Sequence, residues 1–162
     1  MRGLNSKLKN LYLNSFSFNS SVIVFTETWL NPSIYNTEIF SSSYSIYRRD
    51  RDGKGGGVLI AVKTDLFAEV ISLPTSFAEY NIEFIAVRII FQCKTFFITC
   101  SYIPPQSDVI IYTYHVEAIS YISNLLSDND HLIVLGDFNL PNIVWTLENY
   151  SNSNKLYIIF CK

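Results

Sequence analysis

Charge is scarce in this chain. Asp, Glu, Lys and Arg make up 16% of its 162 residues, against a usual quarter, and the formal net charge is −2. That balance gives no global pull toward polyanions such as nucleic acid. Cysteine is scarce too: Cys93, Cys100 and Cys161 are odd in number and lack metal-ligand spacing. They read as reduced, partly buried thiols in an intracellular setting. No apolar run approaches the ~20 residues that span a bilayer, so no membrane contact is expected. The start, Met1-Arg2-Gly3-Leu4-Asn5-Ser6-Lys7, has no apolar signal core behind it. Internal repeats are absent. What the chain does have is apolar residue content, at 49%, which excludes disorder for its bulk. Its length suits one domain with a real core.

The pattern along the chain alternates strands and helices. Leu4, Leu8 and Leu11 at helical spacing predict a short amphipathic helix over residues 4–17. Ser21 to Thr26 reads as a buried strand ending at Glu27, and residues 28–43 read as loop, with Asn31-Pro32 as a turn signal. Tyr44 to Tyr47 and Gly56 to Lys63 form a predicted hairpin around Arg51-Asp52-Gly53-Lys54-Gly55. Further strands are expected at about 67–72, 82–91 and 95–103, the last two joined by a tight turn at Gln92-Cys93-Lys94. Ser107 is a candidate N-cap for a helix over 108–126, with Tyr112, Val116, Ile119, Ile122 and Leu126 on one face. A strand over 131–136 follows, then a polar stretch from Asn149 to Asn154 and an apolar strand-like segment from Lys155. Hairpin-joined strands with helices after strands predict an α/β layered sandwich of mixed sheets.

The most informative stretch is Gly136-Asp137-Phe138-Asn139 at the end of the apolar run His131-Leu132-Ile133-Val134-Leu135. In an extended chain residues i and i+2 point to one side, so Asp137 and Asn139 are expected to face one pocket at a sheet edge. A carboxylate beside a carboxamide can orient water or hold a phosphate oxygen near a hard metal ion; an ordinary Asp/Asn turn is the plainer alternative. Arg48, Arg49, Arg51 and Lys54 fall close together and could contact phosphates. A solvated hairpin loop, with Asp50 and Asp52 interleaved, explains them equally well. The Gly55-Gly56-Gly57 run precedes a strand, not a helix, so close backbone packing is expected of it, not phosphate binding.

Four motifs stand in order: Thr26-Glu27-Thr28-Trp29-Leu30, Gly55-Gly56-Gly57-Val58, Tyr102-Ile103-Pro104-Pro105 and Gly136-Asp137-Phe138-Asn139. Pro141-Asn142-Ile143-Val144-Trp145 follows the last. Three of the four put a polar residue just past an apolar strand, where ligands to such sheets usually bind. Together they resemble the endonuclease/exonuclease/phosphatase superfamily, with its DNase I-like fold, and above all the endonuclease domain of non-LTR (LINE-type) retrotransposons. The resemblance runs from about Arg2 to Trp145. It implies a partial domain over 1–145 and a divergent tail over 146–162. By resemblance Glu27 binds the metal, Asp137 and Asn139 activate the water and hold the scissile phosphate, and Tyr102 hydrogen-bonds that phosphate. Arg49 and Arg51 become candidate substrate contacts, and Mg²⁺ (or Mn²⁺) the cofactor. The implied partners are DNA and, in an intact element, a parent polyprotein with reverse transcriptase, in a nuclear or cytoplasmic setting.

The chain departs from the family pattern at both ends. The family begins with a strand ending in a catalytic asparagine, and ends with a Ser-Asp-His motif that supplies a second carboxylate and the hydrolytic histidine. Neither is matched, so the resemblance implies a fold incomplete at both ends and an endonuclease-like domain that is inactive or weakly active. A non-catalytic remnant with a weak metal or nucleic-acid site is one alternative, and a phosphatase of the same fold is another. Asn129-Asp130-His131 does not replace the missing motif. Six residues at ~3.3 Å each separate His131 from Asp137 by about 20 Å. His115, in the expected helix, reads as a surface or packing residue.

Overall fold

The structure, a computed structural model, describes residues 4–51, 55–140 and 155–160. Two sheets form, each from its own part of the chain. Strands β1 (Val22–Thr26), β2 (Tyr44–Arg49) and β3 (Val58–Lys63) make an antiparallel sheet in the order β1-β3-β2. Strands β4 (Phe67–Val70), β5 (Glu83–Phe91), β6 (Lys94–Tyr102), β7 (His131–Asp137) and β8 (Lys155–Phe160) make a mixed sheet in that order. Within it β6, β7 and β8 run parallel to one another. The strand-like segment near the C-terminus therefore continues the larger sheet.

The sheets pack face to face because their strands alternate apolar side chains between two buried faces. Val58, Ile60 and Val62 of β3, all at 0% exposure, meet Ile85 and Val87 of β5 and Cys100 of β6. Burying each such aliphatic side chain contributes about 1.5–3 kcal/mol, so this interface dominates the fold's stability. The outer face of the smaller sheet, with Leu59 and Ala61, is covered by α1 (Leu8–Ser15), α2 (Asn36–Ile39) and a 3₁₀ turn over Leu4–Lys7. Leu4, Leu8 and Leu11 supply that contact, as their spacing predicts. On the far side Phe84, Ala86, Phe97, Leu132 and Val134 pack against α3 (Val109–Ser123). The result is the layered α/β sandwich the sequence predicts. Among the described residues no helix is long and apolar enough to cross a membrane.

Some expectations need correction. Of the face expected for this helix, Ile122 is buried and Ile119 and Leu126 pack against the core, but Val116 is 61% exposed, and His115 and Ala118 are buried in addition. This helix is apolar almost all round, so periodicity alone could not select the face that docks. Asp108 is the N-cap position, without a side-chain capping bond, and the Ser107 hydroxyl donates instead to the Pro104 carbonyl at 2.8 Å. A short helix, α2, and a 3₁₀ helix over Thr75–Tyr80 lie in stretches read as loop or left unassigned. Cys93 is exposed in the two-residue turn between β5 and β6, and Cys100 is buried. Arg2-Gly3, Asp52, Lys54, Pro141 to Trp145 and Cys161 lie outside the described residues.

Candidate active site

One end of the sandwich gathers polar side chains. Pairing of β5, β6 and β7 sets Glu83 opposite Tyr102 and Tyr102 opposite Asp137. Partners in register share a face, so these three form a row on the side that looks toward the smaller sheet. Glu27 follows β1 directly and reaches the row from the facing sheet. The Tyr102 hydroxyl donates to Glu27 Oε1 at 2.7 Å, across 75 positions of sequence. Burial does most to hold the Tyr102 phenol well above its ordinary pKa. The hydrogen bond to Glu27 and the charges of Glu27, Glu83 and Asp137 push it the same way. Tyr102 is thus a neutral donor at any ordinary pH.

The chain turns sharply around this row. Glu27 and Trp29 have φ of 51° and 56°, and Asn139 has 45°. Non-glycine residues hold this left-handed conformation only where neighbours enforce it, and such strain gathers at functional sites. At Asn139 it overturns the reasoning from strand alternation: β7 ends at Asp137, and the next residues turn instead of staying extended. Asp137 and Asn139 are brought together by a local bond, with the Asn139 N–H donating to Asp137 Oδ1 at 3.1 Å. The Asn139 carboxamide donates to the Ile103 carbonyl at 2.8 Å, which locks the side chain against the end of β6.

The basic cluster divides. Arg48 donates to the Ile34 carbonyl at 2.6 Å and lies 3.4 Å from Asp50, whose carboxyl pKa burial raises and Arg48 lowers in part. Arg49 is exposed at the end of β2. Arg51 pairs with Glu83 at 3.0 Å and so stands against the polar row. The glycine run packs closely, as expected: Gly56 and Gly57 have φ of +63° and +84° and lie against Glu83 and Thr28. Sequence reasoning missed Glu83. The signal was there, because Glu83 shares alternation with Ile85, Val87 and Ile89 and so falls on a face otherwise wholly apolar.

Both histidines are placed elsewhere. His115 is 2% exposed on the buried face of α3, edge-on to Phe84 with ring centroids 6.4 Å apart, and burial lowers its pKa to about 4. It is a packing residue, not a surface one. His131 stacks on Phe96 at 5.0 Å, at the opposite end of β7 from Asp137. Among the described residues no group of three His, Cys, Asp or Glu could hold a metal ion.

No family model and no curated protein matches this chain. Solved structures do match. TDP2 of D. rerio complexed with a single-strand DNA product aligns with 15% identity and a TM-score of 0.60, covering 86% of this chain and 56% of that one. The human Nocturnin catalytic domain with a bound sulfate anion gives 13% identity and 0.58, covering 83% and 57%. The endonuclease domain of TRAS1, a telomere-specific non-LTR retrotransposon, gives 16% identity and 0.53, covering 86% and 54%. The chain thus spans 54 to 57% of the lengths of these three solved chains. Its two facing sheets between helical layers, matched to structures that include the TRAS1 endonuclease domain, give this chain a DNase I-like fold.

Proposed function

We propose that this chain is a Mg²⁺-dependent phosphodiesterase domain of the non-LTR retrotransposon endonuclease type, directed at DNA and nicking it weakly or not at all. The observation that carries the proposal is the bond between Tyr102 and Glu27 across the sheets, with Asp137 in register beside it. The likenesses to TDP2 solved with single-strand DNA product and to the TRAS1 endonuclease domain support the choice of substrate.

Glu27 suits a hard divalent cation. It is a partly buried carboxylate in a strained backbone position, and Mg²⁺ takes one or two such oxygens and keeps its remaining waters. Bound there, the ion would polarise a phosphoryl oxygen and offset charge on the leaving alkoxide. Asp137 has one oxygen on the Asn139 N–H, and its second oxygen can accept a proton from an attacking water. Asn139, anchored on Ile103, retains a carboxamide oxygen and a second N–H for orienting water or phosphate. Tyr102 has a single proton to give, and Glu27 has it. Donating to a phosphate requires the phenol to turn from Glu27 to the substrate.

The expectation of low activity is made for these 162 residues by themselves and rests on where their histidines are. The chain has two, and both are placed away from Asp137. An imidazole acid–base group is then not within reach, and loss of such a group lowers rates by ~10²–10⁴-fold. The same observation favours the second reading, a remnant that binds without turning over.

Supercoiled plasmid incubated with Mg²⁺ or with EDTA tests activity, and melting with and without Mg²⁺ tests the site. The expected result is nicking at or near background, with a melting temperature that rises with Mg²⁺ in the native chain and not in Glu27→Gln. Robust nicking that Asp137→Ala stops would show a working histidine-free site and overturn the expectation of weakness. Equal melting with EDTA and with excess Mg²⁺ would leave only the remnant reading.

A further inference from the structure

The glycine turn before β3 closes on a carboxylate that belongs to the other sheet. Glu83, 8% exposed at the start of β5, accepts the Gly57 N–H on Oε2 and the Arg51 guanidinium on Oε1, the latter at 3.0 Å. A Cβ at Gly56 would collide with the Glu83 carboxylate, and one at Gly57 would fall 2.5 Å from Thr28 Oγ1. On its other side the same turn holds the segment that follows β1. The Trp29 N–H donates to the Gly56 carbonyl at 2.9 Å, and the Thr28 N–H donates to the Gly57 carbonyl at 3.2 Å. These bonds grip the chain where Glu27 and Trp29 are left-handed, a conformation that persists only when its surroundings impose it.

We propose that Glu83 is a positioning residue for Glu27: it pins the Gly56–Gly57 backbone, whose carbonyls hold Thr28 and Trp29 and so aim the Glu27 carboxylate at Tyr102 and the polar row. This deepens the reading above and rests on it, since it takes Glu27 as the metal-binding carboxylate. The linkage also accounts for features that are otherwise unrelated. It gives a reason for a buried charge on an apolar face, for glycine at positions 56 and 57, and for the pairing of Arg51 inward. Arg51 then offsets the charge of Glu83, which is a different task from binding substrate.

If the Arg51–Glu83 ion pair merely tied a hairpin down, its loss would weaken the whole fold evenly. Positioning predicts a local effect, and Glu83→Gln separates the two. Glutamine keeps the shape but has one acceptor oxygen, so it cannot receive both Gly57 N–H and Arg51 in the same way. Amide hydrogen exchange and Mn²⁺ binding are measured on the full chain for the native protein, Glu83→Gln, Glu27→Gln and Val87→Ala. The last is a core variant that loosens the sandwich without touching the turn.

In Glu83→Gln, exchange at the Thr28 and Trp29 amides should rise at least about tenfold more than at the amides of β6. Mn²⁺ affinity should fall by about 10–100-fold, the usual loss when support behind a metal ligand is removed. Val87→Ala should speed exchange broadly and leave Mn²⁺ affinity as it was. Unchanged local exchange at Thr28 and Trp29 in Glu83→Gln overturns the proposal, as does faster exchange with Mn²⁺ affinity intact. If the native chain and Glu27→Gln bind Mn²⁺ alike, the metal reading of Glu27 fails. The exchange arm still decides whether Glu83 sets the backbone there.

Discussion

The two ends of this sandwich are made of the same strands and obey different rules. At one end Tyr102 bonds to Glu27 and pairs in register with Glu83 and Asp137, the backbone is left-handed at Glu27, Trp29 and Asn139, and glycine fills the turn beside them. At the other end Val22, Val24, Ile98, Ile133 and Leu135 line an open apolar pocket of about 470 Å³, and His131 lies flat on Phe96. Polar groups gather at the first end even behind the sheet, where the Ser101 hydroxyl and both ring nitrogens of His115 are buried without a partner. The fold is stabilised by its middle and its apolar end, and that surplus sustains a strained, charge-bearing end. Apolar packing and strained polar groups are thus separated along the strands, not between layers.

The largest expected effect comes from the middle. Ile60→Ala, at a side chain with no exposure between the sheets, should cost about 2–5 kcal/mol in urea unfolding. A loss below about 1 kcal/mol would mean that the sheets are held by something other than this apolar contact. The next effect is pH-dependent. His115 has its pKa lowered to about 4 by burial, against 6.5 when unfolded, so between those values the unfolded chain binds more protons. Its contribution is complete above pH 6.5 and is lost as pH falls toward 4, by about 3 kcal/mol in all. Urea midpoints at pH 7.5, 5.5 and 4.5 should therefore fall more steeply for the native chain than for His115→Leu. Parallel curves would show that the imidazole has access to water.

How much of this was legible beforehand differs between the ends. Runs such as Val58 to Val62 and Leu132 to Leu135 announce buried strands by composition, and glycine or aspartate marks where they stop. Glu27, Tyr102, Asp137 and Asn139 could be marked as candidates because each follows an apolar run. What joins them was not legible. The register that sets Tyr102 beside both Glu83 and Asp137 is a long-range fact, and no local pattern encodes it. Strand alternation misled at Asn139, because it assumes the extended chain that the turn abandons. Helical periodicity misled at α3, where Val109, Ile110 and Val116 are exposed and a histidine is buried in their stead.

The smallest effect sharpens the comparison most. Tyr102→Phe removes one hydroxyl at the strained end and should cost about 1 kcal/mol, the usual net value of one hydrogen bond. A double-mutant cycle with Glu27→Ala should assign most of that to the pair. A cost of several kcal/mol would mean that this polar end supports the fold instead of being supported by it.

The segregation of the two sheets in sequence bears on how the protein is made. Among the described residues, the three strands of the smaller sheet have all been laid down by Lys63, before the first strand of its partner begins at Phe67. During synthesis from the N-terminus its apolar face, with Val58, Ile60 and Val62, must wait for β5 and β6 to emerge. Glu27 waits longer, since Tyr102 is 75 positions away. The bond between them consequently forms only after Tyr102 has emerged, and any pause in translation between Lys63 and Tyr102 leaves a sticky half-sandwich exposed to its neighbours.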